Sequence, residues 1–277
     1  MIVYIRFFFV SLFIFSQLLG EELVRLDSST ELQSTWNIQG SPIRVTVDQK
    51  LLADLLLKKE GPKRFEFPAP FSLKMKDYRL TVRSGDETLT HDLQDPGPFL
   101  ALSELRQFKD KPIEFSILKD PPYSQFPSDF SKQFADLQTM DQPFFEGSYI
   151  NPLHMLLTIL SHPMKVGEGF QIVRDKTEKT AFSSTINFTV RENSEELLVV
   201  DSIWLTQRQK TLLKSQKDEE NPVVIFGEMK GVWTIHKKDP LLFTFEEKGA
   251  ISYSLGFEEL QASIIHEIVR KVATSPL

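Results

Sequence analysis

Five histidines, His91, His154, His162, His236 and His266, are the side chains from which a metal site or a general base would be built. None has a second histidine three or four residues away, the spacing that puts two imidazoles on one helix face. His266-Glu267 opens like the helix of a zinc peptidase, but Arg270 stands where the second histidine is needed. Ser128-Asp129 and Asp201-Ser202 are isolated pairs, with no Gly-x-Ser-x-Gly elbow and no Ser-x-x-Lys in its usual company. A Ser–His–Asp triad assembled only in three dimensions leaves no local trace, so an exported hydrolase with a dispersed site stands as an alternative reading.

The acid pairs Glu195-Glu196, Glu219-Glu220 and Glu258-Glu259 lie in loop-like contexts. Neighbours on a strand point to opposite faces, so solvated turns suit these pairs better than paired catalytic carboxylates. The absence of cysteine removes thiol nucleophiles, thiolate metal sites and disulfides. In Ser161–Phe170, SHPMKVGEGF, a Gly-x-Gly suggests a phosphate loop. A dinucleotide loop needs a strand before it and a helix after it. Here the order is helix then strand, no third glycine follows at the required spacing, and Glu168 would repel an anion. Gly167 and Gly169 read instead as positions that let the backbone take positive φ. The sequence therefore assigns no catalytic, metal-ligating or cofactor-binding set.

Aromatic residues are the remaining signal. Of 23 Phe, five (Phe7, Phe8, Phe9, Phe13, Phe15) lie in the N-terminal leader, while Trp36, Trp204 and Trp233 are spread along the chain. Trp204, Trp233, Phe243, Phe245 and Tyr253 fall on strand-like segments and are the candidate ligand-binding residues, as the apolar face of a sheet. The competing reading is that these rings fill a core.

The elements that would position them follow from pattern. Arg6 precedes an apolar run from Phe7 to Leu19, too short for a comfortable membrane span. Residues 1–20 read as a secretory signal peptide cut after Gly20. The rival is an uncleaved anchor, the one way this chain would hold to a membrane. Loss of Arg6 makes the formal charge of −6 one unit more acidic, so nothing favours nucleic acid or anionic lipid surfaces. Export without cysteine places the protein in a bacterial periplasm or cell envelope.

Residues 21–142 and 143–277 read as an N-terminal α+β domain and a C-terminal β-rich domain. Ile43–Val47 alternates as a strand, and Asp48 then caps a helix carrying Leu51, Leu52, Leu55 and Leu56. Phe71 to Val82 alternates with a register step at Lys76-Asp77, the mark of a bulge, and turns back through Ser84-Gly85-Asp86. A short helix is expected over Phe99–Phe108, a strand over Pro112–Leu118 and a helix from Ser128 or Asp129 to Leu137. Asn151-Pro152 opens the clearest helix, with Leu153, Leu156, Leu157 and Leu160 on one stripe and His154 off it, facing solvent or an interface.

Beyond it nearly all is strand-like. Ile186–Val190 and Glu196–Thr206 read as strands, and Pro222–Phe226 and Trp233–His236 as two short ones. Leu241, Phe243 and Phe245 precede a turn at Lys248-Gly249, and Ile251 to Leu255 continue the meander; residues 260–273 fit one face of a helix as well as a strand, with their β-branching favouring a strand that extends the meander. The fold class is α+β, predominantly antiparallel sheet with a few packing helices, either as one curved sheet or as two β-rich subdomains. The function this favours is non-enzymatic: binding a lipid, another hydrophobic ligand or a peptide, or an assembly role beside another envelope protein. A protein–protein interaction module of an envelope complex is a further alternative.

Overall fold

The computed structural model describes residues 22–38, 40–58, 65–97, 103, 105–120, 124–125, 151–174, 183–214, 220–256 and 261–277. Twelve strands form one open antiparallel sheet. They are β1 (Glu22–Ile38), β2 (Ser41–Leu57), β3 (Ala69–Ser84), β4 (Glu87–Asp92), β5 (Pro112–Ile117), β6 (Ser124–Gln125), β7 (Gly169–Arg174), β8 (Ser184–Asn193), β9 (Leu197–Lys214), β10 (Glu220–His236), β11 (Phe243–Gly256) and β12 (Gln261–Pro276). The order is β6-β5-β3-β2-β1-β12-β11-β10-β9-β8-β7, with β4 also paired to β3. Most sequence neighbours pair as hairpins; β5 instead pairs β3, β6 and β7 lie at the two edges, and at the centre the first and last of these strands meet, with Val24 opposite Pro276 and Ile38 opposite Ala262. Both parts of the chain thus feed a single sheet, and residues 142 and 143 lie outside the described residues. Among the described residues, helix is confined to α1 (Asn151–Ser161) and to Ser103, Leu105 and Arg106, inside the short helix expected over Phe99–Phe108. The helix content is small, and the α+β label is correspondingly loose.

One face of the sheet is buried and the other meets water. β2 shows why the helix expected after Asp48 does not form. Leu51, Ala53, Leu55 and Leu57 are buried while Leu52, Asp54 and Leu56 between them are only half-buried. The four leucines fit both periods in isolation. Pairing to β1 and β3 on either side selects the period of two, because it gives the Leu51–Leu57 backbone a partner strand on both sides. The register step lies where the sequence places it: Leu52 opposes Asp77 and Ala53 opposes Met75, leaving Lys76 as the extra residue. The helix over 128–137 falls outside the described residues.

Two further expectations are corrected. β10 is one strand through Glu220–His236, not two short ones, with a register shift against β9 between Ile225 and Gly227. β11 runs straight through Lys248-Gly249. Gly249 is there for close packing, since a Cβ would run into the backbone of Glu228 and Met229 on β10. Gly167 does take positive φ (83°), whereas Gly169 is in β7, where a Cβ would collide with the Phe188 carbonyl.

The core lies on the buried face. Val24, Leu26, Leu55, Leu73, Phe71 and Phe115 pack with Phe188, Val200, Trp233, Phe245 and Val272 in one cluster, and α1 adds Leu153, Leu156, Leu157 and Ile159. Trp233 stacks on Phe245 with ring centroids 4.0 Å apart and on Phe243 at 6.0 Å.

His154 departs from its expected position. It is 3% exposed, and its Nε2–H donates to the Lys119 carbonyl at 3.1 Å. Burial, partly offset by that hydrogen bond and reinforced by the Arg174 charge, pushes its pKa down from 6.5 to about 4. The unfolded chain therefore takes up a proton that the folded chain refuses. Stability is full above pH 6.5 and is lost as pH falls toward 4, by at most about 3 kcal/mol. His154→Gln, which keeps a donor for Lys119, is expected to flatten this acid limb. Urea midpoints at pH 7, 6 and 5 measure it, and parallel curves for both proteins would contradict the assignment.

Candidate functional site

Strand register places all five sequence-selected aromatics on the buried face. Trp233 opposes Phe245 and Val200, Met229 opposes Trp204, and Tyr253 opposes Ile225 and Ile264. Their environments differ. Trp233, Phe243 and Phe245 are sealed in the core, whereas Trp204 and Tyr253 are half-buried beside a second small cluster built on Ile225 and Ile251. The face therefore has a closed end, covered with α1's help, and a half-open end.

Between the two ends runs a row the sequence reading did not single out. Reading across β2, β1, β12, β11, β10 and β9 in register, it is Gln49, Thr30, Arg270, Glu247, Gly231 and Ser202. Polar residues thus cross an otherwise apolar face. Arg270 Nη1 donates to Glu247 Oε2 at 3.3 Å, with the side chains 18% and 7% exposed. Burial holds the Glu247 carboxyl above the usual carboxylate range, with Arg270 and then Arg174 pulling it back. Gly231 leaves the gap that a side chain would fill: a Cβ there would stand 2.6 Å from Ser202 Oγ and 2.9 Å from the Phe245 ring. Through it the Trp233 indole N–H reaches Ser202 Oγ at 3.3 Å. One residue along β1 from Thr30 on this face, Ser28 is 1% exposed. Ser28 Oγ, Thr30 Oγ1 and Arg270 Nε are sealed from solvent and have no hydrogen-bond partner among the described residues.

Further toward the open end, Ser34 Oγ and His266 Nδ1 are 2.8 Å apart, and the Tyr253 ring meets the His266 ring edge-on at 5.2 Å. Burial lowers the His266 pKa. Among the described residues no carboxylate contacts this histidine, so the pair lacks the acid that would orient an imidazole as a general base. No group of three or more metal-ligating side chains occurs among the described residues, and no described helix is long and apolar enough to cross a membrane.

The opposite face carries ion pairs such as Arg25–Asp54, Arg83–Asp48 and Arg191–Asp201. A groove of about 630 Å³ runs among Arg191, Asp201, Lys230, Glu246, Lys248 and Lys271, and Ser202, Gly231, Glu247 and Arg270 of the polar row also line it. Its charges are of both signs, and it does not select an anionic or a cationic ligand.

Much of this was hidden from the sequence because β1 was not recognised as a strand. Its inward positions include Ser28, Thr30 and Ser34, which erase the apolar alternation that marks a strand. The usable signal was Phe243-x-Phe245-x-Glu247: extending that period by one step places Glu247 on the buried face.

The fold and face together define a class: an open, single-sheet antiparallel β protein with a one-sided aromatic core and a polar row across it. No model of a known protein family matches the chain, and no curated protein matches it. Among solved structures, lipovitellin, described for its lipid–protein interactions, is similar at 13% identity over 92% of this chain, with a TM-score of 0.45. The chain spans 25% of the length of that lipovitellin chain. An outer membrane channel from Pseudomonas putida F1 is similar at 7% identity over 92% of this chain and 96% of its own, with a TM-score of 0.21. Both are remote likenesses.

Proposed function

We propose that the protein is an exported cell-envelope protein that binds an apolar ligand, a lipid or a comparable hydrophobic molecule, on the half-open end of its sheet face. One observation carries the reading. Trp204 and Tyr253 stand half-buried on the same face on which Trp233, Phe243 and Phe245 are sealed, so an aromatic surface continues past the end of the core. Ligand sites are commonly apolar and aromatic, with a few placed polar groups, and the polar row supplies such groups. Tyr and Trp offer large contact area at low entropic cost.

The test is native mass spectrometry of the protein purified gently from its own envelope fraction. The expected result is a population heavier than the chain by a discrete mass that organic extraction removes. The same spectrum reads the chain mass, which is expected to show loss of residues 1–20. A single unliganded mass before and after extraction would count against ligand binding. A defined oligomer without added mass would favour the assembly role instead.

A further inference from the structure

The polar row and Ser28 beside it hold three donors that a folded core should not leave unpaired. Ser28 Oγ, Thr30 Oγ1 and Arg270 Nε are all inaccessible to solvent and lack a partner among the described residues. Each such group costs about 1–3 kcal/mol when buried unsatisfied, and native interiors hold few of them. They are also neighbours. Thr30 lies directly opposite Arg270 across the β1–β12 ladder, and Ser28 opposite Val272 is the next position on that face. Directly opposed side chains start about 5 Å apart, and the next position along the strand is about 7 Å on. The three donors therefore belong to neighbouring positions on one face. All three can donate, and Arg270 brings a guanidinium charge to the set. That set suits an anion.

We propose that Ser28, Thr30 and Arg270 bind the carboxylate of a long-chain acid whose hydrocarbon tail lies along the half-open end of the same face. This rests on the apolar-ligand reading and adds the chemical class and the orientation of the ligand. The head sits inward, against the edge of the closed core, because that is where the unpaired donors are. From Thr30 to Trp36 the strand covers about 20 Å at roughly 3.4 Å per residue, the reach of an extended long acyl chain. Along that path the face presents Leu32, Ile268, Met229, Trp204, Ile264 and Tyr253. Arg270 remains 18% exposed. Carboxylate binding would complete the donors' hydrogen bonds, which explains why polar hydroxyls are kept where valine or alanine would pack without loss.

The test uses the full delipidated protein and two fluorescent probes with one polyene chain, cis-parinaric acid and its methyl ester, titrated at neutral pH. Wild type is expected to bind the acid about tenfold or more tighter than the ester, the scale of hydrogen bonds to a charged group. Ser28→Ala and Thr30→Val are expected to weaken the acid by about tenfold each and leave the ester unchanged. Their urea midpoints should hold or rise, because each removes a hydroxyl that the unliganded fold leaves unpaired. Equal binding of acid and ester by wild type, or equal weakening of both by the variants, overturns the carboxylate site while leaving the apolar-ligand reading intact. No fluorescence gain with either probe overturns both.

Discussion

Trp233→Ala is expected to lower the free energy of unfolding by about 3–5 kcal/mol, the range for truncating a large buried aromatic. Trp233 is 0% exposed and is the largest of the fully buried side chains. It stacks on Phe245 and Phe243 and donates to Ser202 Oγ. Its surroundings cannot close over the gap. Phe245 and Val200 are held in register on the flanking strands, and Gly231 next to it on the same face has no side chain to move in. A rigid site keeps its cavity, which puts the cost at the upper part of the range. Trp233→Phe keeps a ring on Phe245 and should lose less, mainly the indole volume and the bond to Ser202. Urea denaturation followed by far-UV circular dichroism measures both. A loss below about 1 kcal/mol for the alanine variant, the size of an ordinary substitution, would mean that this ring is not the keystone of the core.

The second large effect concerns the Glu247–Arg270 pair. Arg270→Met leaves Glu247, 7% exposed, as a carboxyl with its nearest counter-ion removed. Breaking a buried pair from one side costs about 3–5 kcal/mol. The sign of the pH dependence follows from the direction of the Glu247 shift. Its folded pKa already lies above the ordinary value because burial disfavours the charged form, and removing Arg270 raises it further. A raised folded pKa means that the associated stability is complete at pH below the unfolded value and is lost as pH rises through the folded one. The deficit of Arg270→Met against wild type is thus largest at neutral and alkaline pH and shrinks on acidification. The double variant Glu247→Gln with Arg270→Met should recover much of the loss at neutral pH, since replacing both members of a buried pair is often near neutral. Thermal melts of the three proteins at pH 5 and 8 decide this. A pH-independent deficit would show that Glu247 is not the group left stranded.

That recovery bears on function. If the pair can be removed together at little cost, stability does not account for its presence. A charge pair beside three unpaired donors then has a better explanation in recognition of a polar group, which is the role assigned above to Arg270.

How far these positions were legible follows from particular residues. The strands Pro112–Ile117 and Ser184–Asn193, the bulge at Lys76 and the helix from Asn151 were readable locally, because each carries its own period, cap or turn, whereas Gln261–Pro276 fitted both periods and only its pairing to β1 and β11 decides for strand. The five aromatics were readable as a set on strand-like segments, and they do share one face. Which of them are sealed and which stay half-open was not readable, because that depends on what α1 and the neighbouring strands cover. His154 shows the limit most plainly. It lies off the leucine stripe, yet it is buried by Phe67, whose ring centroid is 5.6 Å away, and by the Lys119 carbonyl, both remote in sequence.

The sequence by itself determined that the chain is a mainly antiparallel β protein with few helices, since alternation, turn residues and β-branching are local properties that any fold must respect. Only the tertiary structure decided that Leu51 to Leu57 is strand, that the first and last strands close the centre of one sheet, and that Ser28, Thr30, Arg270 and Glu247 meet. Those outcomes depend on which segments pair. Pairing between β1 and β12 brings together residues more than two hundred positions apart, as in the bond from Ser34 to His266, and no window of sequence contains both partners.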